Sequence, residues 1–283
     1  MIAKRKPVKA VQVQRFGPQD RGESDLLAVE EPLEIRLEFG PLQNRQQRSI
    51  AVTMRTPGHD LALAAGFLFS EGILKHIDEV HKIDHCANVS KPEEYGNVVK
   101  VELKPDLLPD LEKLDRNFYM SSSCGVCGKA SIEAIGLNAC PILPRLDQVY
   151  DAKFIRSLPD TAEAKQAVFK HTGGLHAASI FDLEGTLIVQ REDVGRHNAV
   201  DKAIGKLFLA GKTPFQNHAL LLSGRAGFEL VQKAAVAGIP LMAAVGAPTS
   251  LAVELAQQSG ITLVGFLRGE RFNVYAGEVA GDE

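Results

Sequence analysis

Cysteine is scarce in this chain: Cys86, Cys124, Cys127 and Cys140 are the whole complement in 283 residues. So few cysteines in a chain this long make no disulfide scaffold, and a close pair in a cytosolic chain points to redox, metal or nucleophilic chemistry. Long apolar runs are missing too. The longest without a proline, Leu61–Phe69, has nine residues, whereas a bilayer span needs ~20. The first residues, Met1-Ile2-Ala3-Lys4-Arg5-Lys6-Pro7, are basic like a signal n-region, but no long apolar segment follows. The chain is therefore expected to be soluble and cytoplasmic, with no membrane partner. Nor is there a basic excess, since the formal net charge is -3 and the pI is about 6.3. That argues against a nucleic-acid partner and leaves room only for local phosphate-binding patches. Internal repeats and low-complexity tracts are also absent. What remains is 45% hydrophobic and 24% charged, an ordinary globular composition with length for two domains.

The first half is patterned for strands. Val8–Phe16, Leu33–Phe39, Ile50–Met54 and Asn97–Leu103 follow a period of two, as half-buried strands do. One helix interrupts them, with Asp60 as its cap, Leu61–Phe69 as its body and Gly72 as its stop. A polar stretch, residues 120–123, leads into Cys124-Gly125-Val126-Cys127-Gly128-Lys129, and a short helix is expected over Ala130–Leu137. Pro141 and Pro144 suggest a linker. This predicts a β-rich domain over 1–147 and an α/β domain over 148–283.

The second half has another rhythm. Helices are expected after Asp151 and from about Thr161 to Lys170. His176–Phe181 and Thr186–Gln190 read as a hairpin joined by Asp182-Leu183-Glu184-Gly185. Then come a helix over Arg196–Leu209, strand Ala219–Leu222, helix Phe228–Ala237, strand Pro240–Val245, helix Leu251–Gln258 and strand Ile261–Leu267. This alternation predicts a parallel sheet covered on both faces.

The sharpest chemical feature is Cys124-Gly-Val-Cys127-Gly. Its glycines free the backbone to approach another molecule. Lys129 and the N-terminus of the following helix favour a thiolate. Such a thiolate can take the outer sulfur of a donor persulfide, as in thiol–disulfide exchange. A zinc site would need two further ligands, from His85, Cys86 or Cys140, and only one C-x-x-C unit is present. A thioredoxin-like pair would need a βαβ context, and a pair of reduced cysteines in a turn is the plain structural alternative.

Two strand-to-helix or strand-to-turn segments fall on the carboxyl edge of the expected sheet, where ligands bind. They are Ser223-Gly224-Arg225 and Phe266-Leu267-Arg268-Gly269-Glu270-Arg271. Arg268 and Arg271 are candidate phosphate or guanine ligands; their alternative is a solvated turn paired with Glu270 and other acids. A third turn, Gly246-Ala247-Pro248-Thr249-Ser250, reads as a helix cap through Thr249 or Ser250. Asp193 reads equally as a functional residue or a helix-start partner, His59 as a helix-start histidine, and His176 as a satisfied core or rim histidine.

Taken together, Arg55–Asp60, Ser123–Gly128, Thr172–Ala178, Glu192–Lys202, Ser223–Arg225 and Phe266–Arg271 resemble the FdhD family of formate dehydrogenase accessory sulfurtransferases. The resemblance spans nearly the whole chain. It implies a carrier between a cysteine desulfurase and the molybdenum bis(molybdopterin guanine dinucleotide) cofactor, bound as substrate, with GDP as its mimic, in the service of formate dehydrogenase. It places the persulfide on Cys124, beside Cys127, and cofactor binding on Phe266–Arg271. It also implies a cytidine-deaminase-like C-terminal fold, in an α+β chain with a β-rich N-terminal domain. A homodimer is expected. Asn198 and Ala199 follow His197 where deaminase chemistry requires a Glu two residues on, and Ser223-Gly224-Arg225-Ala226 stands where it requires Pro-Cys-x-x-Cys. No zinc is therefore expected. The competing functions are a zinc-dependent nucleotide deaminase-like enzyme and a non-catalytic cofactor chaperone.

Overall fold

The computed structural model describes residues 6–16, 21–87, 89, 91–105, 107–109, 142–143, 149–164 and 172–281. The cysteine loop with Cys124 and Cys127, Cys140, the helix expected over 130–137 and the boundary expected at 147 lie outside the described residues.

The first half forms two sheets. β1 (Val8–Arg15) and β2 (Arg21–Ala28) form an antiparallel pair. A four-stranded sheet follows, built from β3 (Glu31–Phe39), β4 (Gln46–Arg55), β5 (Val80–His85) and β6 (Val98–Leu103) in the order β4-β3-β6-β5. Leu33, Ile35, Leu37 and Phe39 are at most 1% exposed, while the residues between them are half-buried. This period-two face packs on α1 (Asp60–Ser70) through Leu63, Ala64 and Leu68. Gly72 ends that helix at φ 70°, its N–H returning to Phe69 O.

The second half builds a six-stranded mixed sheet. Its strands are β8 (His176–Asp182), β9 (Leu187–Asp193), β10 (His218–Leu222), β11 (Leu241–Ala244), β12 (Thr262–Arg268) and β13 (Arg271–Ala276), in the order β13-β12-β11-β10-β8-β9. Only β10, β11 and β12 are mutually parallel. These are the strands expected to alternate with helices; the expected hairpin β8–β9 and the additional strand β13 add antiparallel edges. A hairpin can join such a sheet only antiparallel to one neighbour.

Both faces are covered, as expected. Leu220, Leu222, Met242 and Ala244 face α3 (Arg196–Phe208), α4 (Phe228–Ala237) and α5 (Ser250–Ser259). Ala219, Leu221, Leu241 and Ala243 face the other way, onto Ile155, Leu158 and Ala162 of α2 (Ala152–Glu163). α2 runs through Pro159 as far as Glu163; residues 165–170 of the helix expected from about Thr161 to Lys170 lie outside the described residues. A short parallel pair, β7 (Tyr150–Asp151) with β14 (Val279–Ala280), ties the start of α2 to the end of the chain.

α1 and α3 join the two halves into one core. They cross with almost no side chain between them. A Cβ on Gly66 would lie 1.9 Å from Asp201 O, and one on Gly205 would lie 1.9 Å from Ala62 O. The architecture is thus a mixed α/β fold in which one pair of helices bridges two sheets.

Candidate functional site

The start of β8 lies at the same edge as the ends of β9, β10, β11 and β12, because β8 runs antiparallel to β9 and β10. Five sequence segments therefore form a row there. Asp193 pairs with His176 in the β8–β9 register. Ser223 N–H donates to Ala177 O at 3.0 Å, and Ser223 Oγ accepts from Ala177 N at 2.8 Å. Gly246 N–H donates to Gly224 O at 3.0 Å, and Phe266 N–H donates to Gly246 O at 3.1 Å. Glycine is required for this stitching. A Cβ on Gly246 would meet Gly224 C and O and Arg225 N at 2.9 Å, and one on Gly265 would meet Pro248 Cδ at 2.7 Å.

Three helices begin along this row. Gly195, Gly227 and Thr249 occupy the N-cap positions of α3, α4 and α5, and none supplies a side-chain capping bond. Thr249 thus has the expected place without the expected bond. Free helix N-termini present N–H groups and positive dipole ends to an anion.

At the β12 end, Phe266 is held at φ 54° and is 45% exposed. A non-glycine residue in that region is uncommon and strained. Leu267 turns inward at 1% exposure and packs in the second core, so its side chain supports the turn and does not face solvent. Arg268 and Arg271 are cross-strand partners around Gly269 and Glu270, with Gly269 at φ 53°. Both arginines are exposed. Glu270 reaches Arg156 of α2 at 3.3 Å, so it is not the acid that neutralises the turn. Ser223 and Gly224 are half-buried and Arg225 is exposed.

The other end of the row is a buried polar joint that sequence reasoning did not find. Arg55, fully buried, donates from Nε and Nη2 to the two Asp60 carboxylate oxygens at 3.0 Å each, and from Nη2 to Asn97 Oδ1 at 3.2 Å. Asp60 is therefore an ion-pair partner. The N-cap of α1 is His59 instead, at φ 59° with no side-chain capping bond. Asp193 receives Thr56 N–H at 3.1 Å, Gly195 N–H at 2.8 Å and Asn198 Nδ2 at 3.2 Å, and pairs with Lys202. Lys202 also donates to Thr56 O at 2.7 Å. Burial pushes the Asp193 carboxyl up and Lys202 pulls it back. Asp193 is a helix-start partner that also locks the β4–α1 turn to α3. Asn198 spends its amide on this joint and on Met54 O at 2.7 Å. The one available signal was the clustering of Arg, Asp, Asn and Lys in two short motifs that otherwise lacked roles.

Between the two ends, His197 Nε2 lies 3.0 Å from Glu229 Oε2. His176 is half-buried, and burial, then Arg196 and His197, hold its pKa down. Among the described residues no three His, Cys, Asp or Glu side chains are grouped to hold a metal ion. No helix among them is long and apolar enough to cross a membrane.

Relatives share this chain over most of its length. A protein of Streptomyces avermitilis named sulfur carrier protein FdhD is 54% identical over 258 residues, covering 90% of this chain and 88% of the relative. Proteins of the same name from Mycobacterium tuberculosis and Sulfurisphaera tokodaii are 48% and 43% identical, each covering 89% of this chain and 90% of the relative. A crystal structure of a candidate formate dehydrogenase accessory protein from Desulfotalea psychrophila superposes with a TM-score of 0.71 at 26% identity, over 96% of this chain and 98% of that one. The sequence profile of the FdhD/NarQ family matches residues 28–280. The chain belongs to the FdhD/NarQ family.

Proposed function

We propose that this protein is a sulfur carrier that holds sulfur as a Cys124 persulfide and delivers it to the molybdenum bis(molybdopterin guanine dinucleotide) cofactor for formate dehydrogenase. The observation that carries this reading is family membership over residues 28–280, together with relatives named as sulfur carriers. The donor is a cysteine desulfurase. The Cys124 thiolate attacks the outer sulfur of the donor's persulfide, the donor's S–S bond breaks, and the donor cysteine leaves as a thiolate. Cys127 is secondary, because its attack on the loaded persulfide would form a disulfide and lose the sulfur as sulfide. With only one C-x-x-C unit, the chain has no basis for a structural zinc.

The row at the sheet edge suits the cofactor's nucleotide arm. Ser223, Gly224 and Arg225 bring an uncapped helix start to an anion, and Arg268 and Arg271 bring paired donors for phosphate or the guanine edge. Phe266, exposed and strained, offers a ring face to the base, and Gly269 and Glu270 shape the turn. A sheet whose edge helix opens with Arg196-His197 supports a cytidine-deaminase-like reading of this half, without the chemistry: Ala199 is 1% exposed where a deaminase would carry its Glu. The cofactor has two nucleotide arms, which suits a homodimer presenting two such edges in the cytoplasm.

The test is mass spectrometry of the full chain after incubation with a cysteine desulfurase and cysteine. One added sulfur is expected on the peptide containing Cys124. Sulfur found on Cys127, Cys86 or Cys140 instead, or no loading at all, would overturn the assignment.

A further inference from the structure

Beyond the nucleotide edge, the geometry points to a second anion site at the β9 end of the sheet, built by Arg191, His59 and Lys206 and suited to a phosphate or diphosphate group. Arg191 shares a strand face with Val189 and Asp193, both buried, so its side chain turns toward α1 and α3. Its Nε is sealed from solvent and has no hydrogen-bond partner, and Nη1 donates only to the neighbouring Gln190 O at 2.6 Å. Among the described residues no carboxylate pairs with it. A half-buried guanidinium without a counter-charge is costly, and proteins normally pair such groups.

The nearby carboxylates are already engaged. Asp60 is held by Arg55, Asp193 by Lys202, and Glu31 Oε2 lies 3.5 Å from Arg55 Nη1. The β4–α1 turn is locked against the end of β9 by Val194 N–H donating to Thr56 Oγ1 at 3.2 Å, which brings His59 to this place. His59 sits in the left-handed region, an unfavourable conformation for a residue with a Cβ. Partial burial of its ring, then Arg191 and Lys202, hold its pKa down at about 4, although the residue keeps an exposed edge. Lys206 lies one turn beyond Lys202 on α3, on the side where Lys202 meets Asp193 and Thr56 O, and adds a further, exposed cation. Arg191, Lys206 and a protonated His59 would together give an oxyanion charge-assisted hydrogen bonds that no described side chain supplies.

This site is separate from the Phe266–Arg271 turn. The order β12-β11-β10-β8-β9 puts four strand spacings between them, roughly 19 Å at ~4.8 Å each. The inference therefore stands or falls apart from the sulfur-carrier reading. The anion has two possible sources, free phosphate or the diphosphate of a nucleotide.

The experiment titrates the full-length chain with inorganic phosphate, pyrophosphate and GDP, following heat release and the His59 ring protons by NMR. Binding of phosphate or pyrophosphate should raise the His59 pKa from its low value. Arg191→Gln should weaken that binding by about tenfold or more, the usual cost of one lost charge-assisted bond. Lys206→Gln, at an exposed position, should weaken it several-fold, and Arg271→Ala should leave it intact. GDP displacing pyrophosphate from this site identifies a nucleotide diphosphate as the ligand; pyrophosphate binding that GDP does not displace identifies a free anion. No shift of the His59 pKa with either inorganic anion, or affinity unchanged in both Arg191→Gln and Lys206→Gln, would overturn the site.

Discussion

Arg268 and Arg271 show how far single residues can be read. Their place at the end of a buried strand was legible, because Ile261–Leu267 is an apolar run that stops abruptly at charge. Their freedom was not, because Glu270 lies between them in sequence and reads as their partner. The fold sends Glu270 to Arg156 instead, 3.3 Å away on α2. The same limit hid Arg55. An arginine and an aspartate five residues apart look like a strand end and a helix cap, and only the closure of the β4–α1 turn makes them a buried pair. Two exposed arginines with no described acid beside them are available to an anionic ligand. Arg271→Ala is therefore expected to weaken GDP binding by about tenfold or more, as loss of a charge-assisted bond costs about 1.5–3 kcal/mol. Desulfurase loading of Cys124 should survive. Calorimetry with GDP on Arg268→Ala and Arg271→Ala decides it; unchanged affinity in both moves the nucleotide toward Ser223-Gly224-Arg225.

At the scale of elements, strict alternation and clean caps were the readable signals. β3 and α4 were legible because each has one apolar face and clear stops. β2 was missed: Arg21-Gly22-Glu23-Ser24-Asp25-Leu26-Leu27-Ala28 has no alternation, since none of its described side chains is buried. Pro159-Asp160-Thr161 is a plausible break and new start, yet α2 continues through it to Glu163. Burial of Ile155, Leu158 and Ala162 on one stripe under the sheet holds it as one helix and overrides that local signal. The crossing of α1 and α3 was invisible in the sequence. Gly66 and Gly205 sit inside helices, where glycine costs ~1 kcal/mol against alanine, and only the partner backbone explains them. Either Gly66→Ala or Gly205→Ala should destabilise the protein by about 3 kcal/mol or more, because a methyl 1.9 Å from a carbonyl oxygen forces the helices apart. Gly227→Ala, where nothing lies within 4 Å of the added carbon, is the control. Urea unfolding of the three variants compares them, and a Gly205→Ala protein as stable as Gly227→Ala would refute the close crossing.

For the whole molecule, the question is what fixes the two sheets to each other, and a third buried ion pair answers it. Lys233 of α4, Asp201 of α3 and Ser70 at the end of α1 meet in the shared core. Lys233 Nζ lies 3.0 Å from Asp201 Oδ1 and 2.8 Å from Ser70 Oγ, and Ser70 Oγ lies 2.8 Å from Asp201 Oδ1. Glu71 adds a contact to Lys233 at 3.3 Å. Burial works against the Lys233 charge, but Asp201 and Glu71 outweigh it and hold the ammonium protonated. Removing one partner strands the other, at a cost of about 3–5 kcal/mol. Lys233→Met should show that loss at pH 7. Burial already pushes the Asp201 carboxyl up, and Lys233 is the main group pulling it down. In the variant its folded pKa rises further above the unfolded value, so the neutral carboxyl is the stable buried form. A folded pKa above the unfolded one contributes stability at low pH that is lost as pH rises through it. The gap between wild type and Lys233→Met should therefore narrow as pH falls toward the acid range. Adding Asp201→Asn to Lys233→Met should recover part of the loss at pH 7 and flatten that pH dependence, since asparagine keeps the bond to Ser70 without the charge. Denaturant unfolding of the single and double variants across pH tests this; a gap that is constant with pH, or a double variant no more stable than the single, would mean that the pair does not carry the junction between the sheets.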